Sequence, residues 1–393
     1  MAVLHFLMNL KRRRQVRFPF WKQTFALFGV AWWDVRNSGL TGSGFGATFE
    51  ANKRRIFMAS LPLFEEISSA PKLVGIARIA AEGESLREGH NVEYFTLGTR
   101  SLLSRVVSKR GLPFAWAINP YRGCEFACKY CYARYTHEFM ELRDGVDFER
   151  KIFVKQQAAG LLRSELKKVK RDEGIAIGTA TDPYQPAERR FEVTRTILEE
   201  LARHSGLSIG IITKSNMITR DAEILRKVGE HNRISVSVTV TTMDTELARK
   251  LEPRAPRPDL RMEAVRELNL AGIRAGVNCA PVLPEITDRP RDLEALVKAA
   301  SQAGAKHIFP SPLFLKPCAA AVFLPFLEEH FPALVPLYRT RYAEQAFLPK
   351  EYGQRLSKLM AVYRHKYGMG DAGATRQQRT HASESTDQQL GLF

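Results

Sequence analysis

The sequence GCEFACKYCYAR, residues 123–134, places three of the chain's five cysteines within eight positions and supplies no fourth. A structural zinc site or a fully ligated iron–sulfur cluster takes four protein ligands, so this set leaves one coordination position open. Cys124, Cys128 and Cys131 have the spacing C-x3-C-x2-C, and thiolates on one tight loop suit a cubic iron–sulfur cluster. Gly123 permits the close turn that such a loop needs. We interpret the loop as a [4Fe–4S] site with one iron free of protein ligand.

Other interpretations of the loop stay open at this point. His137, six residues after Cys131, could complete a zinc site of three cysteines and one histidine. Such a zinc-stabilised protein could bind nucleic acid through basic segments such as KKVKR at 167–171, although a solvated helix face explains that segment more simply. The thiols could also be unligated and buried. A cluster used only for redox cycling would make the protein an electron carrier.

Short apolar segments alternate with helical segments from residue 113 to 316. The predicted strands are AWAIN at 115–119, IAIGTA at 175–180, LSIGIITKS at 207–215, RISVSVTVTT at 233–242, RAGVNCAPVLP at 274–284 and KHIFPSPLFL at 306–315. Six such alternations predict parallel βα units in a barrel or partial barrel. In these folds the reactive groups gather where strands end, and the cysteine loop directly follows the first strand.

Several stretches of the chain resemble one known family. C-E-F-A-C-K-Y-C is similar to the signature of the radical S-adenosylmethionine (SAM) superfamily. TATDPYQPAE at 179–188, ITKS at 212–215, SVSVT at 235–239 and LEPRAPRPDLRMEAVRELNLAGI at 251–273 resemble its spore photoproduct lyase-like branch. The resemblance covers about 113 to 316. It implies a partial (β/α)6 TIM-like barrel of the radical SAM type and a [4Fe–4S] cluster whose open iron binds SAM. It also implies metal-binding and catalytic activity: reductive cleavage of SAM to a 5′-deoxyadenosyl radical.

The same resemblance assigns the groups of SAM to residues near strand ends. Lys214, at the end of the third strand, is a cation suited to the SAM carboxylate. Alternation in SVSVT puts Ser235 and Ser237 on the face opposite the valines, and the resemblance places one of these serines near that carboxylate. Val282 and Pro284 are candidates for a slot beneath the adenine, although a core role for Val282 is nearly as well supported.

Two further segments are implied in SAM binding. Thr179, Thr181 and Asp182 end the second strand, where the superfamily commonly binds the SAM ammonium. This chain has TATD where many members have a Gly-Gly-Glu type sequence, so backbone carbonyls are an alternative to these side chains. Tyr130, which precedes the third cysteine, is the candidate to flank the adenine.

The chain departs from the branch at the cysteine of the radical relay. In the lyase that cysteine lies between the cluster loop and the second strand, and this chain has no cysteine from 132 to 278. We therefore do not expect repair of a thymine dimer, and the substrate stays open. Cys279 and Cys318 are weak candidates for a hydrogen-atom donor, and packing is the preferred interpretation of both.

Composition and charge restrict the partners and the compartment. The clustered thiols favour a reducing compartment, the cytoplasm, and no secretory signal or membrane span is expected. Residues 1–57 carry +8 of the net charge of +17, which leaves a moderately basic body. Nucleic acid is therefore one candidate partner. The resemblance implies SAM and an external electron donor such as flavodoxin or ferredoxin as the others.

The chain divides into five predicted segments. Residues 1–57 are interpreted as a disordered or upstream extension before a true start at Met58. A lead-in segment, 58–112, precedes the barrel core at 113–316. A helical C-terminal region, 317–370, is expected to cap the barrel mouth or to pack on its side, with its aromatic residues in a core. Residues 371–393 read as a disordered polar tail.

Overall fold

The main sheet of the protein is an open parallel barrel that follows chain order. The computed structural model describes residues 73–89, 92–107, 112–171 and 173–370. Its strands are β1 Ser85–Gly89, β2 Val92–Leu97, β3 Leu103–Arg105, β4 Trp116–Ile118, β5 Tyr121–Arg122, β6 Lys151–Lys155, β7 Gly174–Ile177, β8 Ser208–Thr213, β9 Arg233–Thr239, β10 Ala275–Val282 and β11 Ile308–Pro312.

All six predicted strands form, as β4, β7, β8, β9, β10 and β11, and each pairs in parallel with the next. A sheet whose strand order follows the chain is typical of a (β/α) barrel, because a doubly wound sheet reverses its order part-way. Within the described residues β11 and β3 are the two edges, so the barrel is partial. The predicted fold class is confirmed.

The barrel is wrapped by helices. They are α1 Gly75–Ala81, α2 Tyr135–Glu138, α3 Asp147–Arg150, α4 Ala158–Glu165, α5 Glu188–Phe191, α6 Val193–Leu201, α7 Ala222–His231, α8 Thr245–Leu251, α9 Pro258–Leu270, α10 Pro290–Gln302, α11 Pro317–His330, α12 Val335–Arg341 and α13 Lys350–Lys366. Proline opens α9, α10 and α11, where its missing N–H has no intrahelical partner to lose. Val236 and Val238 of β9 are fully buried in the barrel core, as their alternation predicts.

The structure also contains a four-stranded sheet that the sequence did not predict. Its order is β1-β2-β6-β5, with β2 and β6 parallel and the outer pairs antiparallel. In addition, β3 pairs antiparallel with β4, so the barrel sheet begins before the predicted boundary at 113. These strands are two to six residues long, too short for a period to establish itself against the surrounding loops. The second sheet lies next to the cysteine loop through β5.

The C-terminal region packs beside the cysteine loop and also reaches the mouth of the barrel. Phe323, Phe326 and Tyr338 are buried in a core cluster that includes Cys124 and Tyr130, as expected for core aromatic residues. None of the helices in the described residues combines the length and apolar character of a membrane span. The predicted extension at 1–57, part of the lead-in segment and the tail at 371–393 lie outside the described residues.

Candidate active site

A single large cavity, of about 1880 Å³, contains the residues on which the sequence analysis concentrated. The three cysteines line it, together with the ends of barrel strands β4, β7, β8 and β9. Of the predicted site residues, the cavity is lined by Cys124, Cys128, Cys131, Tyr130, Thr179, Thr181, Asp182 and Lys214. The structure therefore brings the cluster candidates and the main SAM candidates to one place.

The cysteine loop is fixed by its own backbone. Gly123 has φ +86°, and a Cβ there would lie 2.8 Å from the Lys151 carbonyl oxygen, so the expected close turn is confirmed. The Cys124 N–H donates to the Phe148 carbonyl at 2.9 Å. Burial raises the pKa of all three thiols, that of Cys128 to about 12. The loop therefore favours thiolates only where a cation or metal ion compensates the charge.

The segment TDPYQPAE braces this loop from β7. Thr181 Oγ1 and Gln185 Nε2 both donate to the Gly123 carbonyl, at 2.6 and 3.1 Å. The Gln185 side-chain oxygen accepts from the Glu125 N–H at 3.0 Å, and the Glu125 carboxylate accepts from the Ala187 N–H at 2.7 Å. These groups are buried, so each bond satisfies a polar atom that water does not reach. The motif holds the cysteine loop in place.

Arg134 braces the other end of the loop. Its guanidinium donates to the Cys128 carbonyl at 3.0 Å and to the Gly145 carbonyl, and it pairs with Glu149 at 3.0 Å. The side chain is almost fully buried. Its charge favours the thiolate of Cys131, although burial dominates the pKa of that thiol.

A buried charge network lies behind the cysteine loop, and we call Tyr130, Lys214, Thr241, Glu252 and Arg261 the Glu252 network. Glu252 accepts hydrogen bonds from Tyr130 and, at 2.8 Å, from Thr241. Arg261 pairs with its other oxygen at 2.5 Å, and the Lys214 ammonium lies 3.7 Å away. Two cations therefore face one carboxylate.

The electrostatics of this network favour its ionised form. Burial disfavours the Glu252 carboxylate, but Arg261 and Lys214 outweigh burial and lower its pKa to about 2. The Lys214 ammonium also lies 5.7 Å from the centre of the Tyr130 ring, within cation–π range. Lys214 is thus held against Tyr130 while lining the cavity.

Asp182 has a local role that the sequence did not show. Its carboxylate accepts hydrogen bonds from Thr213 Oγ1, the Lys214 N–H and the Tyr184 N–H, at 2.7, 2.7 and 2.9 Å. Burial raises its pKa, and these bonds act against that rise. The carboxylate thereby ties the end of β7 to the end of β8 and positions Lys214.

Four other predicted residues lie off the cavity wall. Ser237 is hydrogen-bonded to His307 at 2.9 Å, and Ser235 is likewise half-buried outside the cavity. Val282 is fully buried in the barrel core, and the carbonyl of buried Pro284 accepts from Tyr338 at 2.8 Å. On the same strands the cavity is lined instead by Thr239, Asn278, Ala280 and Pro281.

The two remaining cysteines also lie outside the cavity wall. Cys279 is fully buried within the barrel core, in keeping with the preferred packing role. Cys318, in the first turn of α11, is partly buried, and its thiol lies 3.8 Å from the Tyr132 carbonyl. Tyr132 itself lines the cavity.

His137 has one ring nitrogen engaged by the backbone. Its Nε2 is 3.0 Å from the Lys151 carbonyl, and its ring packs edge-on against Phe148 and Phe153. Burial lowers its pKa to about 4. Within the described residues no group of three or more His, Cys, Asp or Glu side chains has the geometry to hold a single metal ion. The buried His137 Nδ1 has no hydrogen-bond partner within the described residues, so zinc stays an alternative that metal analysis decides.

Comparisons with known proteins agree with this geometry. The family model of the radical SAM superfamily matches residues 118–298, which include the cysteine loop and barrel strands β7 to β10. An uncharacterised protein of Mycobacterium tuberculosis is 36% identical over 269 residues, 68% of this chain and 79% of that protein. The chain belongs to the radical SAM superfamily. An uncharacterised protein of Methanocaldococcus jannaschii is 27% identical over 247 residues, 63% of this chain and 88% of that protein.

Solved radical SAM structures share the fold. Spore photoproduct lyase complexed with dinucleoside spore photoproduct superposes with a TM-score of 0.53 at 15% identity, covering 70% of this chain and 79% of that chain. A mutant of spore photoproduct lyase with bound AdoMet and dinucleoside spore photoproduct gives a TM-score of 0.50 at 14% identity, with the same coverage. At this identity the likeness concerns the fold.

Several residues that shape this cavity were not predicted from the sequence. Glu252 and Arg261 lie inside the stretch LEPRAPRPDLRMEAV that carried the family resemblance, so their position was flagged but their pairing was not. Gln185 lies within TDPYQPAE in the same way. Arg134 follows the third cysteine by three residues and had no sequence signal beyond that proximity.

Proposed function

We propose that this chain binds a [4Fe–4S] cluster through Cys124, Cys128 and Cys131 and reductively cleaves SAM in the cavity beside it. The observation that carries the proposal is the placement of three free thiols, two buried and one partly buried, on one braced loop that lines one large cavity. Three sulfur ligands suit an iron–sulfur cluster with one iron left for another ligand. When bound, the cluster supplies the electron that splits the SAM sulfonium to a 5′-deoxyadenosyl radical.

Residues of the cavity wall support a binding mode for SAM. Lys214 presents an ammonium held by Glu252, suited to the SAM carboxylate. Tyr130 stays a candidate to flank the adenine. Because the Asp182 carboxylate already accepts three hydrogen bonds, the backbone carbonyls near Thr179 and Thr181 are better candidates for the SAM ammonium.

The other residues predicted to contact SAM lie farther from the cavity than their neighbours in the sequence. The roles assigned to Ser235, Ser237, Val282 and Pro284 stay predictions, and residues of the same strands that line the cavity are stronger candidates. These are Thr239, Asn278, Ala280 and Pro281.

The reaction that follows SAM cleavage is open, and dimer repair is not part of the proposal. Cys318 is the better placed of the two candidate hydrogen donors, because Tyr132 connects it to the cavity wall, whereas Cys279 is enclosed in the core. Nucleic acid stays a candidate substrate. We place the protein in the cytoplasm, with flavodoxin or ferredoxin as the class of external reductant.

Anaerobic turnover tests the proposal. The full-length protein is reconstituted with iron and sulfide and incubated with dithionite and SAM, and 5′-deoxyadenosine is quantified by mass spectrometry. We expect product from the wild type and from Cys279→Ala, and none from Cys131→Ser. Absence of product from the wild type, or equal product from Cys131→Ser, contradicts the proposal. Cluster reduction and reoxidation without SAM cleavage would instead identify an electron carrier.

A further inference from the structure

A second pair of cations lines the cavity, on the wall formed by the small sheet. Arg122 lies on β5 and Lys155 at the end of β6, and both line the cavity. Arg122 is directly opposite Phe153 in the antiparallel ladder, and Lys155 follows Phe153 by two residues. Opposite residues and residues two apart share a face of a sheet, so the two cations lie on the same face.

Neither side chain has its charge balanced. Lys155 is only 7% exposed and faces the cavity, and none of the ion pairs among the described residues includes its ammonium. Arg122 donates to the Thr136 carbonyl at 3.4 Å, and its buried Nε has no partner in the same part of the chain. Poorly solvated cations without a paired acid are destabilised, so an anion that binds beside these two side chains stabilises both.

Glu165 is the acid whose charge acts on Lys155, but its carboxylate is engaged by other groups. Glu165, on α4, accepts hydrogen bonds from the Leu102 and Leu103 N–H groups at 2.8 and 2.9 Å and from Ser101. Burial, with the charge of Arg122 added and that of Glu165 opposing, lowers the pKa of Lys155 to about 7. The ammonium is thus destabilised until another negative charge arrives.

We infer that Arg122 and Lys155 bind the phosphate group of a phosphate-monoester substrate in this cavity. A phosphate monoester carries up to two negative charges and three acceptor oxygens, which match a guanidinium and an ammonium together. A carboxylate offers one charge and two oxygens and would leave the second cation uncompensated. The site is separate from the Glu252 network, where Lys214 faces the cysteine loop. The inference rests on the proposed function in that it takes this cavity as the reaction cavity.

Calorimetry on the full-length, cluster-reconstituted protein saturated with SAM tests the inference. The probe is uridine 5′-monophosphate, uridine is its matched control, and inorganic phosphate tests for a free anion. We expect the monophosphate to bind at least about tenfold more tightly than uridine, since hydrogen bonds to charged groups contribute about 1.5–3 kcal/mol. Equal affinity for the two, or tight binding of inorganic phosphate without binding of the monophosphate, overturns the inference.

Variants assign the effect to the pair. Lys155→Met should weaken binding of the monophosphate about tenfold or more and leave uridine unaffected, whereas Lys155→Arg keeps a cation and should stay within about threefold of wild type. Lys298→Met, an exposed lysine on α10, removes the same charge outside the cavity and should change nothing. Unchanged affinity in Lys155→Met overturns the inference.

Proton uptake on binding gives a second readout of Lys155. At pH 7 a lysine with a pKa of about 7 is half protonated, so binding should take up as much as about half a proton, seen as a dependence of the binding heat on the buffer. Lys155→Arg should abolish this uptake, and uptake that survives in that variant counts against the inference. Failure to form 5′-deoxyadenosine with monophosphate binding intact would refute the proposed function alone.

Discussion

The substitution Glu252→Gln should destabilise the protein strongly. The side chains of Glu252 and Arg261 are each only 1% exposed, and a carboxylate oxygen of Glu252 lies 2.5 Å from a guanidinium nitrogen of Arg261. The neutral amide of glutamine would leave this buried guanidinium, and the Lys214 ammonium beside it, without a negative charge. Removing one partner of a buried pair costs about 3–5 kcal/mol. We expect the free energy of unfolding of the apoprotein, measured by guanidinium denaturation with circular dichroism, to fall by about that amount.

A matched control separates burial from the chemical change. Glu263→Gln makes the same substitution on α9, in a pair with Arg266 whose side chains are 42% and 56% exposed, and should cost less than about 1 kcal/mol. The double variant Glu252→Gln/Arg261→Met should lose less than the sum of its single variants, because the second change removes the stranded charge. A loss below about 1 kcal/mol in Glu252→Gln, similar to that of the control, would refute the role given to the buried network.

Three further outcomes follow from the same contacts. The folded-state pKa of Glu252 is lowered to about 2 from an ordinary 4.5, so its contribution to stability is fully present above about pH 4.5 and is lost as the pH falls toward 2. The free energy of unfolding of Glu252→Gln should therefore fall less steeply than that of the wild type over that pH interval. Identical slopes for the two proteins would contradict this. Gln185→Leu should lower the iron content after reconstitution, measured per chain by metal analysis. The change unpairs the buried Glu125 N–H, at about 1–3 kcal/mol, and leaves the Gly123 carbonyl with the Thr181 hydroxyl as its remaining donor. Iron equal to wild type would argue against the bracing role. Arg134→Met should lower iron retention in the same assay, with exposed Arg143→Met as the unchanged control, and equal loss in both would remove the role given to Arg134.

The strands of the barrel could be predicted from the sequence, but those of the four-stranded sheet could not. Each barrel strand is a short apolar or alternating segment bounded by helical segments. In β9 the alternation alone identifies the face on which Val236 and Val238 are buried. Strand β5 has two residues and β6 five, and their pairing joins residues 121 and 154 across an intervening loop and two short helices. Such pairing depends on tertiary contacts that no local pattern carries.

In the candidate site, too, contacts between residues close in sequence were predictable and contacts between distant residues were not. Cys124, Cys128 and Cys131 are close in sequence, so their spacing alone predicts a shared ligand. Glu252 and Tyr130 are 122 residues apart and meet only because α8 follows β9 at the same end of the barrel. The placement of Ser237 against His307, away from the cavity, also needed the register of neighbouring strands.

The cysteine loop predicts one iron that no protein atom binds, and electron paramagnetic resonance reports on that iron directly. The full-length protein, purified and reconstituted without oxygen, is reduced with dithionite and measured with and without SAM. We expect about four irons and four sulfides per chain and a spectrum of the reduced cluster that shifts on addition of SAM. A colourless protein with one zinc per chain, or a spectrum that SAM leaves unchanged, would contradict the assignment.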